Sequence, residues 1–385
     1  MGNFRNPETD LHQTADLAVE SFLENGIANY TKMRNFDFGR GKHRAVSQLS
    51  LYISHGVINE FDLVKRVLDR YSIELVEKYI QELFWRVYWK GWLEHRHSVY
   101  RDLAHDQTAS NIGYARAITG QTGIECFDDW VDELKSDNYL HNHSRMWFAS
   151  IWIFTLKLPW QLGAKFFQEH LYDGDPASNT LSWRWVAGLQ TQGKNYLARS
   201  TNIQKFTQGR YGDTSLNESA ASLVERGGYE IETPLFPEKN NPNNKKLLVF
   251  DNQLSINSEF IIKGDYEEIL VLVLDNNNRL IQVDDKVINF KRKLAESFCN
   301  HVKSSILIDP KLLGAYLSGS EEIDVLYPTV GDNLYFINNL AQGEGFTTNF
   351  LVRKLDRFCW NFAKKGFFSF KKNIPSIIDK LYLAN

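Results

Sequence analysis

The sequence has few cysteines, no excess of positive charge and no long apolar run, and each shortage excludes a class of protein. The 3 cysteines among 385 residues lie too far apart for a disulfide framework or a CxxC site. A net charge of −3 creates no general attraction for nucleic acid, although a local basic cleft needs only local Lys and Arg. The longest mostly apolar run, MWFASIWIFTLKL, is too short to cross a bilayer. We therefore expect a reduced, cytoplasmic protein with no membrane contact and no metal site.

Aromatic residues, in contrast, are abundant, at 14% of the chain with 10 Trp and 25 Phe. The stretch DGDPASNTLSWRW combines two of these tryptophans with a predicted helix start. Asp175 can accept the free backbone N–H groups of the first turn, and Pro176 suits the first helical position. Such a helix start attracts anions. Taken alone, the commoner interpretation is a capped surface helix.

The composition changes near Pro234 and divides the chain. Residues 1–233 show apolar positions three and four apart almost throughout, which predicts helices. PLFPEKNNPNNKK, within 234–246, is typical of a linker. In 247–385, the short runs KLLVF, EEILVLVLD, SSILID and IDVLY alternate with helical patterns, which predicts a parallel sheet of the Rossmann type. The expected fold class is α+β overall, an all-helical domain followed by a small α/β domain.

Several motifs in the helical part occur together and in order. GIECFDDWVDELKSDNYLHNHSRMWFAS, followed by PWQLGAKFFQEHLYDGDPASNTLSWRW, resembles the FAD-binding domain of the DNA photolyase/cryptochrome family. The family pattern includes HN-x-x-RM, W-x-x-G, DGD-x-A-x-N and W-x-W. Upstream, YTKMRNFDFGRGKHRAVSQLSLYISHGVI and QELFWRVYW are similar to two further segments of that domain. The resemblance covers about residues 15–212.

The resemblance implies FAD as the cofactor. The positions that match the family's FAD contacts are Tyr30, Ser47, Leu49, Ser50, Arg86, Asn142, Arg145, Asp173, Asp175 and Asn179. Among them, Arg145 and Asp173 would flank the isoalloxazine ring, and Asn179 would face its N5 atom. The sequence departs from the family at Val46 and Gln48, which replace a Thr and an Arg, so one hydroxyl contact is lost.

The resemblance also implies a substrate cavity for a cyclobutane pyrimidine dimer in UV-damaged DNA. Its lining would be Glu82, Trp85, Asn142, Met146 and Trp185. A flipped dinucleotide needs flat apolar walls to replace its lost stacking. Without the motif, Trp85 and Trp185 would be interpreted as core residues; with it, the cavity role is favoured. The implied catalytic residues are Glu82, Asn179, Trp183 and Trp160, the last two as the first members of an electron-transfer chain. No Trp matches the family's usual third member; either Tyr100, Tyr114 or Trp92 substitutes for it, or the electron-transfer chain ends differently.

The expected function is light-driven repair of cyclobutane pyrimidine dimers, the deoxyribodipyrimidine photo-lyase reaction. The alternatives are a cryptochrome-like blue-light photoreceptor without repair activity and a flavin-binding structural subunit. The family's antenna domain is missing from the N-terminus, so 247–385 could be that domain moved behind the helical one, a circular permutation. A second, antenna chromophore cannot be read from the sequence. His143 stands where photolyases often have Arg, while Lys194, Arg199, Lys205 and Arg210 could form a basic rim. We expect a monomer.

Overall fold

The first part of the protein is a bundle of helices. The computed structural model describes residues 10–43, 46–225, 227–236 and 241–383. The helices of the first part are α1 (Leu11–Asn25), α2 (Ile27–Met33), α3 (Ser50–Ile53), α4 (Glu60–Leu68), α5 (Ile73–Glu94), α6 (Ser98–His105), α7 (Ile112–Ile118), α8 (Glu125–Asp137), α9 (Asn142–Ser150), α10 (Trp160–His170), α11 (Pro176–Ala187) and α12 (Ser200–Phe206). A π-helical turn, Ile151–Thr155, continues α9. The predicted helical character of this part is confirmed.

The second part is a five-stranded parallel sheet with helices between its strands. The strands are β1 (Lys246–Phe250), β2 (Glu268–Leu272), β3 (Ser305–Ile308), β4 (Glu322–Leu326) and β5 (Thr347–Leu351). The helices are α13 (Glu259–Lys263), α14 (Asp285–His301), α15 (Leu313–Leu317), α16 (Asp332–Glu344), α17 (Lys354–Trp360), α18 (Phe367–Lys371) and α19 (Ile374–Leu383). The strand order β3-β2-β1-β4-β5 is that of a doubly wound sheet.

Four of the five strands were predicted from their apolar runs, and β5 was missed. β1, β2 and β4 each bury four of five residues, as strands covered on both faces do. β5, in contrast, reads TTNFL and buries only its last two residues, so it lacks such a run. The predicted linker 234–246 overlaps residues 237–240, which lie outside the described residues, and its last residue, Lys246, already begins β1.

The long helix α5 connects the two parts because it packs against helices of the first part, such as α2, and against α17 of the second part. All of its residues from Val87 to Glu94 are buried, including the charged Lys90, which pairs with Glu60, and Glu94. Gly91 permits the contact with α17: a Cβ atom there would lie 2.5 Å from Trp360 Cδ1 and 2.9 Å from Ala363 Cβ. One continuous hydrophobic core therefore runs from α1 through the sheet to α19. In the described part of the chain, no helix is long and apolar enough to cross a membrane.

Candidate flavin site and its surroundings

The start of α11 forms as the sequence predicts. Asp175 is the N-cap, and its Oδ1 accepts a hydrogen bond from the Ser178 N–H at 2.7 Å. Pro176 occupies the first helical turn. Gly188 ends the helix with a φ of 81°, a conformation that favours glycine. The confirmed cap fixes the direction in which the first turn of α11 points its N–H groups.

Two buried carboxylates and two arginines lie beside this helix start. Arg145 Nη2 donates to Asp173 Oδ2 at 3.0 Å, and Arg86 Nη1 lies 3.7 Å from Asp175 Oδ2. Burial alone would raise the pKa of Asp173, but the charge and hydrogen bond of Arg145, together with Ser50 and Arg86, hold that pKa below its ordinary value. The site is therefore a cluster of opposite charges withdrawn from water. The sequence-predicted pair of Arg145 and Asp173 is in contact.

Several buried polar atoms of this cluster have no hydrogen-bond partner within the described chain. They are Arg86 Nη1, Asp173 Oδ1 and Ser178 Oγ. Unsatisfied buried polar groups cost about 1–3 kcal/mol each, so three in one place indicate a polar ligand. A guanidinium, a carboxylate and a hydroxyl can form hydrogen bonds with the phosphates, ring N–H groups and hydroxyls of FAD. The residues present fit this cofactor.

The predicted phosphate-side residues lie on α2 and on the turn before α3. The ring of Tyr30 packs edge-on against Tyr79 at 5.0 Å, and burial raises the pKa of Tyr30, so its hydroxyl stays protonated. The turn contains Gln48 at a φ of 52°. The Leu49 N–H donates to Ser47 Oγ at 3.4 Å. The left-handed residue turns the chain so that Ser47 lies beside the start of α3, which Ser50 opens.

Asn179 is anchored through its amide nitrogen. Its Nδ2 donates to the Ala164 carbonyl at 2.8 Å and to Gln168 Oε1 at 3.3 Å. Because both N–H bonds are used, the carbonyl oxygen is the atom left to face a ligand. An acceptor in this position matches a protonated ring nitrogen.

The predicted substrate-side residues keep contact with solvent. Glu82, Trp85, Met146 and Trp185 are half-buried, and Asn142 is exposed. Trp185 stacks on Tyr196 with ring centroids 5.7 Å apart. Trp85 stacks on Phe367 of α18 at 3.5 Å, with only 12° between the ring planes. Phe367 is buried and covers one face of the Trp85 indole, so the solvent-exposed surface of Trp85 belongs to the remainder of that side chain.

Glu82 has a partner that sequence reasoning did not identify. Arg34 Nη1 donates to Glu82 Oε1 at 2.5 Å. Burial raises the pKa of Glu82, and the charge of Arg34 offsets only part of this effect. Neither this contact nor that of Phe367 with Trp85 left a signal in the sequence, because the partners lie far apart along the chain.

The basic rim has exposed and paired members. Lys194, Arg199 and Lys205 are exposed, while Arg210 Nη2 is 3.0 Å from Asp37 Oδ2 in an ion pair. His143 stacks on the buried Trp147, and burial lowers the pKa of this imidazole to about 4. His143 is therefore neutral near pH 7 and adds no positive charge.

Within the described residues, no direct ring contact joins the predicted electron-transfer residues Trp183 and Trp160. Trp183 is buried, with its ring 5.1 Å from that of Phe167. The Trp160 ring faces the Arg184 guanidinium at 5.8 Å, and among the described residues it contacts no aromatic ring. Tyr100 donates to Asp332 Oδ1 at 3.1 Å, at the contact between the two parts of the chain. Trp92 lies under the Arg96 guanidinium at 4.3 Å.

Part of the chain is similar to known proteins. Residues 79–215 match the family model of the FAD binding domain of DNA photolyase. A deoxyribodipyrimidine photo-lyase of Streptomyces griseus is 32% identical over 203 residues, 48% of this chain and 43% of the relative. One of Neurospora crassa is 28% identical over 192 residues, 46% of this chain and 31% of the relative. A bacterial class III photolyase structure from Agrobacterium tumefaciens has a TM-score of 0.44 at 23% identity, covering 51% of this chain and 42% of that one.

The matched domain and the buried charge cluster define an FAD-binding flavoprotein. Within residues 79–215 the chain is similar to the FAD-binding domain of DNA photolyases, and its cofactor is FAD. The chain covers less than half the length of the two photo-lyases of Streptomyces griseus and Neurospora crassa.

Proposed function

We propose that this protein repairs cyclobutane pyrimidine dimers in DNA by light-driven electron transfer from reduced FAD. The observation that carries the proposal concerns its ten tryptophans, all of which lie in the described residues. Eight are buried, and the two that are not are Trp85 and Trp185. These are the two residues that the sequence predicts as walls of the substrate cavity. Partly exposed aromatic rings on the two helices that carry Arg86 and Asn179 support binding of flat, unstacked bases.

Three residues of the cavity would bind the substrate in this reaction. Trp85 and Trp185 would hold the flipped dinucleotide by its apolar faces. Glu82, whose pKa is raised by burial, would in its protonated form donate a hydrogen bond to a pyrimidine carbonyl. Bound reduced FAD supplies the electron on excitation by light. Two carbon–carbon bonds of the dimer then break and the electron returns, so the reaction needs no net oxidant or reductant.

The charges around the cavity support contact with a DNA backbone. Lys194 and Arg199 flank Tyr196, which stacks on Trp185. Exposed cations beside the cavity can replace counterions of the phosphates, and such binding weakens steeply with salt. The acidic net charge does not oppose this local effect, because charges beyond a Debye length of about 8 Å are largely screened.

A second candidate is a cryptochrome-like photoreceptor that binds FAD and does not repair DNA. Two contacts favour it: Glu82 is already paired with Arg34, and Phe367 already stacks on Trp85. A substrate would have to compete with the first of these contacts.

The experiment that separates the two uses the full-length protein loaded with FAD and chemically reduced. Oligonucleotides containing one thymine dimer, single- or double-stranded, are incubated in blue light or in darkness, and restored thymine is measured. We expect repair in light only. Repair of neither substrate by the reduced protein would overturn the enzyme and leave the photoreceptor.

Variants connect the activity to the cavity. Glu82→Ala and Trp85→Ala are expected to keep FAD and to lose repair. Trp130→Phe is the matched control, because it removes an indole from the core where Trp130 contacts Trp147 and Tyr211. Equal repair by Trp85→Ala and wild type would contradict the proposed wall.

We further propose that residues 247–385 are an antenna-type domain that follows the FAD-binding domain instead of preceding it. The doubly wound strand order and its packing on α5 support this circular permutation. Extraction of the purified protein tests whether a second chromophore accompanies FAD, and an absorbance spectrum fully accounted for by FAD would argue against an antenna role.

A further inference from the structure

A series of three oxidisable rings leads from α11, the helix that carries Asn179, towards the surface. The ring of Trp152 lies 6.0 Å from that of Trp183, and the ring of Tyr114 lies 5.9 Å from that of Trp152, measured between centroids. We propose that electrons reach the flavin along Tyr114, Trp152 and Trp183, and that this route bypasses Trp160. This inference rests on the proposed function, since it identifies the donors that would keep its flavin reduced.

Gly163 explains why the two indoles approach each other. A Cβ atom on Gly163 would lie 2.5 Å from Trp183 Cζ3 and 3.0 Å from Trp152 Cε2. Helix α10 therefore presents only a hydrogen atom at this position, and both rings pack against it. The second ring contact is equally direct, since Tyr114 meets Trp152 edge to face at 85°.

Among the described residues in ring contact with Trp152, Tyr114 is the next electron donor after Trp152. The rings in contact with Trp152 in the described chain are Trp183, Tyr114, Phe127, Phe148 and Phe166. An oxidised tryptophan can take an electron from a phenol but not from a phenyl ring, so Tyr114 is the next donor. Trp152 is fully buried and Tyr114 is half-exposed, which puts the last oxidised group within reach of solvent.

The indole N–H groups favour onward transfer of the positive charge. Trp152 Nε1 donates to the Pro159 carbonyl at 2.9 Å, a weak base that keeps the proton on the indole. Trp183 Nε1 is buried with no partner in the described chain. Neither radical cation can therefore be trapped by rapid loss of its proton. The half-exposed phenol of Tyr114 can instead release its proton to water.

Local charges distinguish this route from one through Trp160. The Arg184 guanidinium lies over the Trp160 ring at 5.8 Å, and a nearby cation disfavours loss of an electron from that ring. Glu225 neutralises part of this charge through two hydrogen bonds to Arg184. At Tyr114 the neighbouring charge has the opposite sign, because Glu169 acts on its phenol. A nearby carboxylate favours oxidation of the ring.

The electrons and protons balance as follows. Trp183 gives one electron to light-excited FAD. Trp152 then reduces the oxidised Trp183, and Tyr114 reduces the oxidised Trp152. Tyr114 then releases its phenolic proton and becomes a neutral radical. A thiol in solution restores Tyr114 by giving one electron and one proton, and is itself oxidised to a thiyl radical.

The test compares Trp152→Phe, Tyr114→Phe and Trp160→Phe in the FAD-loaded full-length protein. Each is illuminated with a thiol present, the flavin absorbance is followed, and the radical formed without thiol is identified by electron paramagnetic resonance. We expect Trp152→Phe to lose photoreduction and Trp160→Phe to retain it. The wild type should show a tyrosyl radical that is missing from Tyr114→Phe. Trp130→Phe is the control for loss of a buried indole.

Loss of photoreduction in Trp160→Phe, or retention in Trp152→Phe, would overturn the route. FAD content and melting temperature are measured for every variant, and Tyr114→Phe keeps the route testable if Trp152→Phe does not fold. Chemically reduced Trp152→Phe is expected to repair dimers as the wild type does. If no protein repairs DNA but the tyrosyl radical still depends on residue 114, the proposed function fails and this inference stands.

Discussion

Glu94, at the end of α5, provides a test of how the two parts of the chain are held together. It is fully buried, its Oε2 accepts a hydrogen bond from the Tyr327 hydroxyl at 2.6 Å, and its Oε1 accepts one from the Val330 N–H at 2.9 Å. Burial raises the pKa of Glu94 to about 7, and the two hydrogen bonds offset only part of this effect. The folded protein therefore holds a proton on Glu94 at a pH where an unfolded chain would release it.

The sign and size of the pH effect follow from this pKa. Because the pKa rises from 4.5 in the unfolded chain to about 7, the stabilisation is complete below pH 4.5 and is lost as the pH rises through about 7. At 1.36 kcal/mol per pH unit, the loss is about 3 kcal/mol. Glu94→Gln removes the titration and keeps both contacts, since its amide oxygen can accept from Val330 and its nitrogen can donate to Tyr327.

The assay is urea unfolding of both proteins at several values of pH between 5 and 8, followed by tryptophan fluorescence. The free energy of unfolding of the wild type minus that of Glu94→Gln should fall by about 2.5 kcal/mol across this range, because part of the full effect is already lost at pH 5. The same substitution at the exposed Glu344 serves as the control. A difference that stays constant, or that rises with pH, would refute the reasoning and indicate that Glu94 is ionised throughout.

Three further predictions concern the site. Phe367→Ala removes the buried ring that stacks on Trp85, so it should lower the free energy of unfolding by about 3 kcal/mol and shift the Trp85 fluorescence. Phe368→Ala, at a neighbour that is 81% exposed, should change the free energy of unfolding by less than about 0.5 kcal/mol. Equal effects of the two variants would contradict the stack. Gly163→Ala should lower the melting temperature through a cost of about 1–3 kcal/mol, and an unchanged value would show that the indoles have room to move. Arg145→Ala should leave Asp173 buried without its partner and raise its pKa, so FAD retention should fall at pH 8 and recover towards pH 5; retention independent of pH would exclude this role of the ion pair.

Much of the fold was accessible from local patterns. The cap at Asp175 and the apolar runs of β1, β2 and β4 depend on neighbours in sequence, and they were predicted correctly. β5 was not predicted, because an edge strand with three partly or fully exposed residues contains no apolar run. Asn179 was predicted by resemblance as the flavin-facing residue, but only the structure shows that its nitrogen is occupied and its oxygen is free.

The sequence by itself indicated the resemblance to photolyases, the FAD cofactor and the candidate residues of the flavin site, because these depend on ordered motifs whose residue types suit phosphate, ring and charge chemistry. Only the tertiary structure decided which side chains meet across long separations. Phe367 reaches Trp85, Arg34 reaches Glu82, and Trp152 joins Trp183 to Tyr114. The physical reason is that such contacts depend on how helices pack, and no spacing along the chain encodes the distance between two rings on different helices.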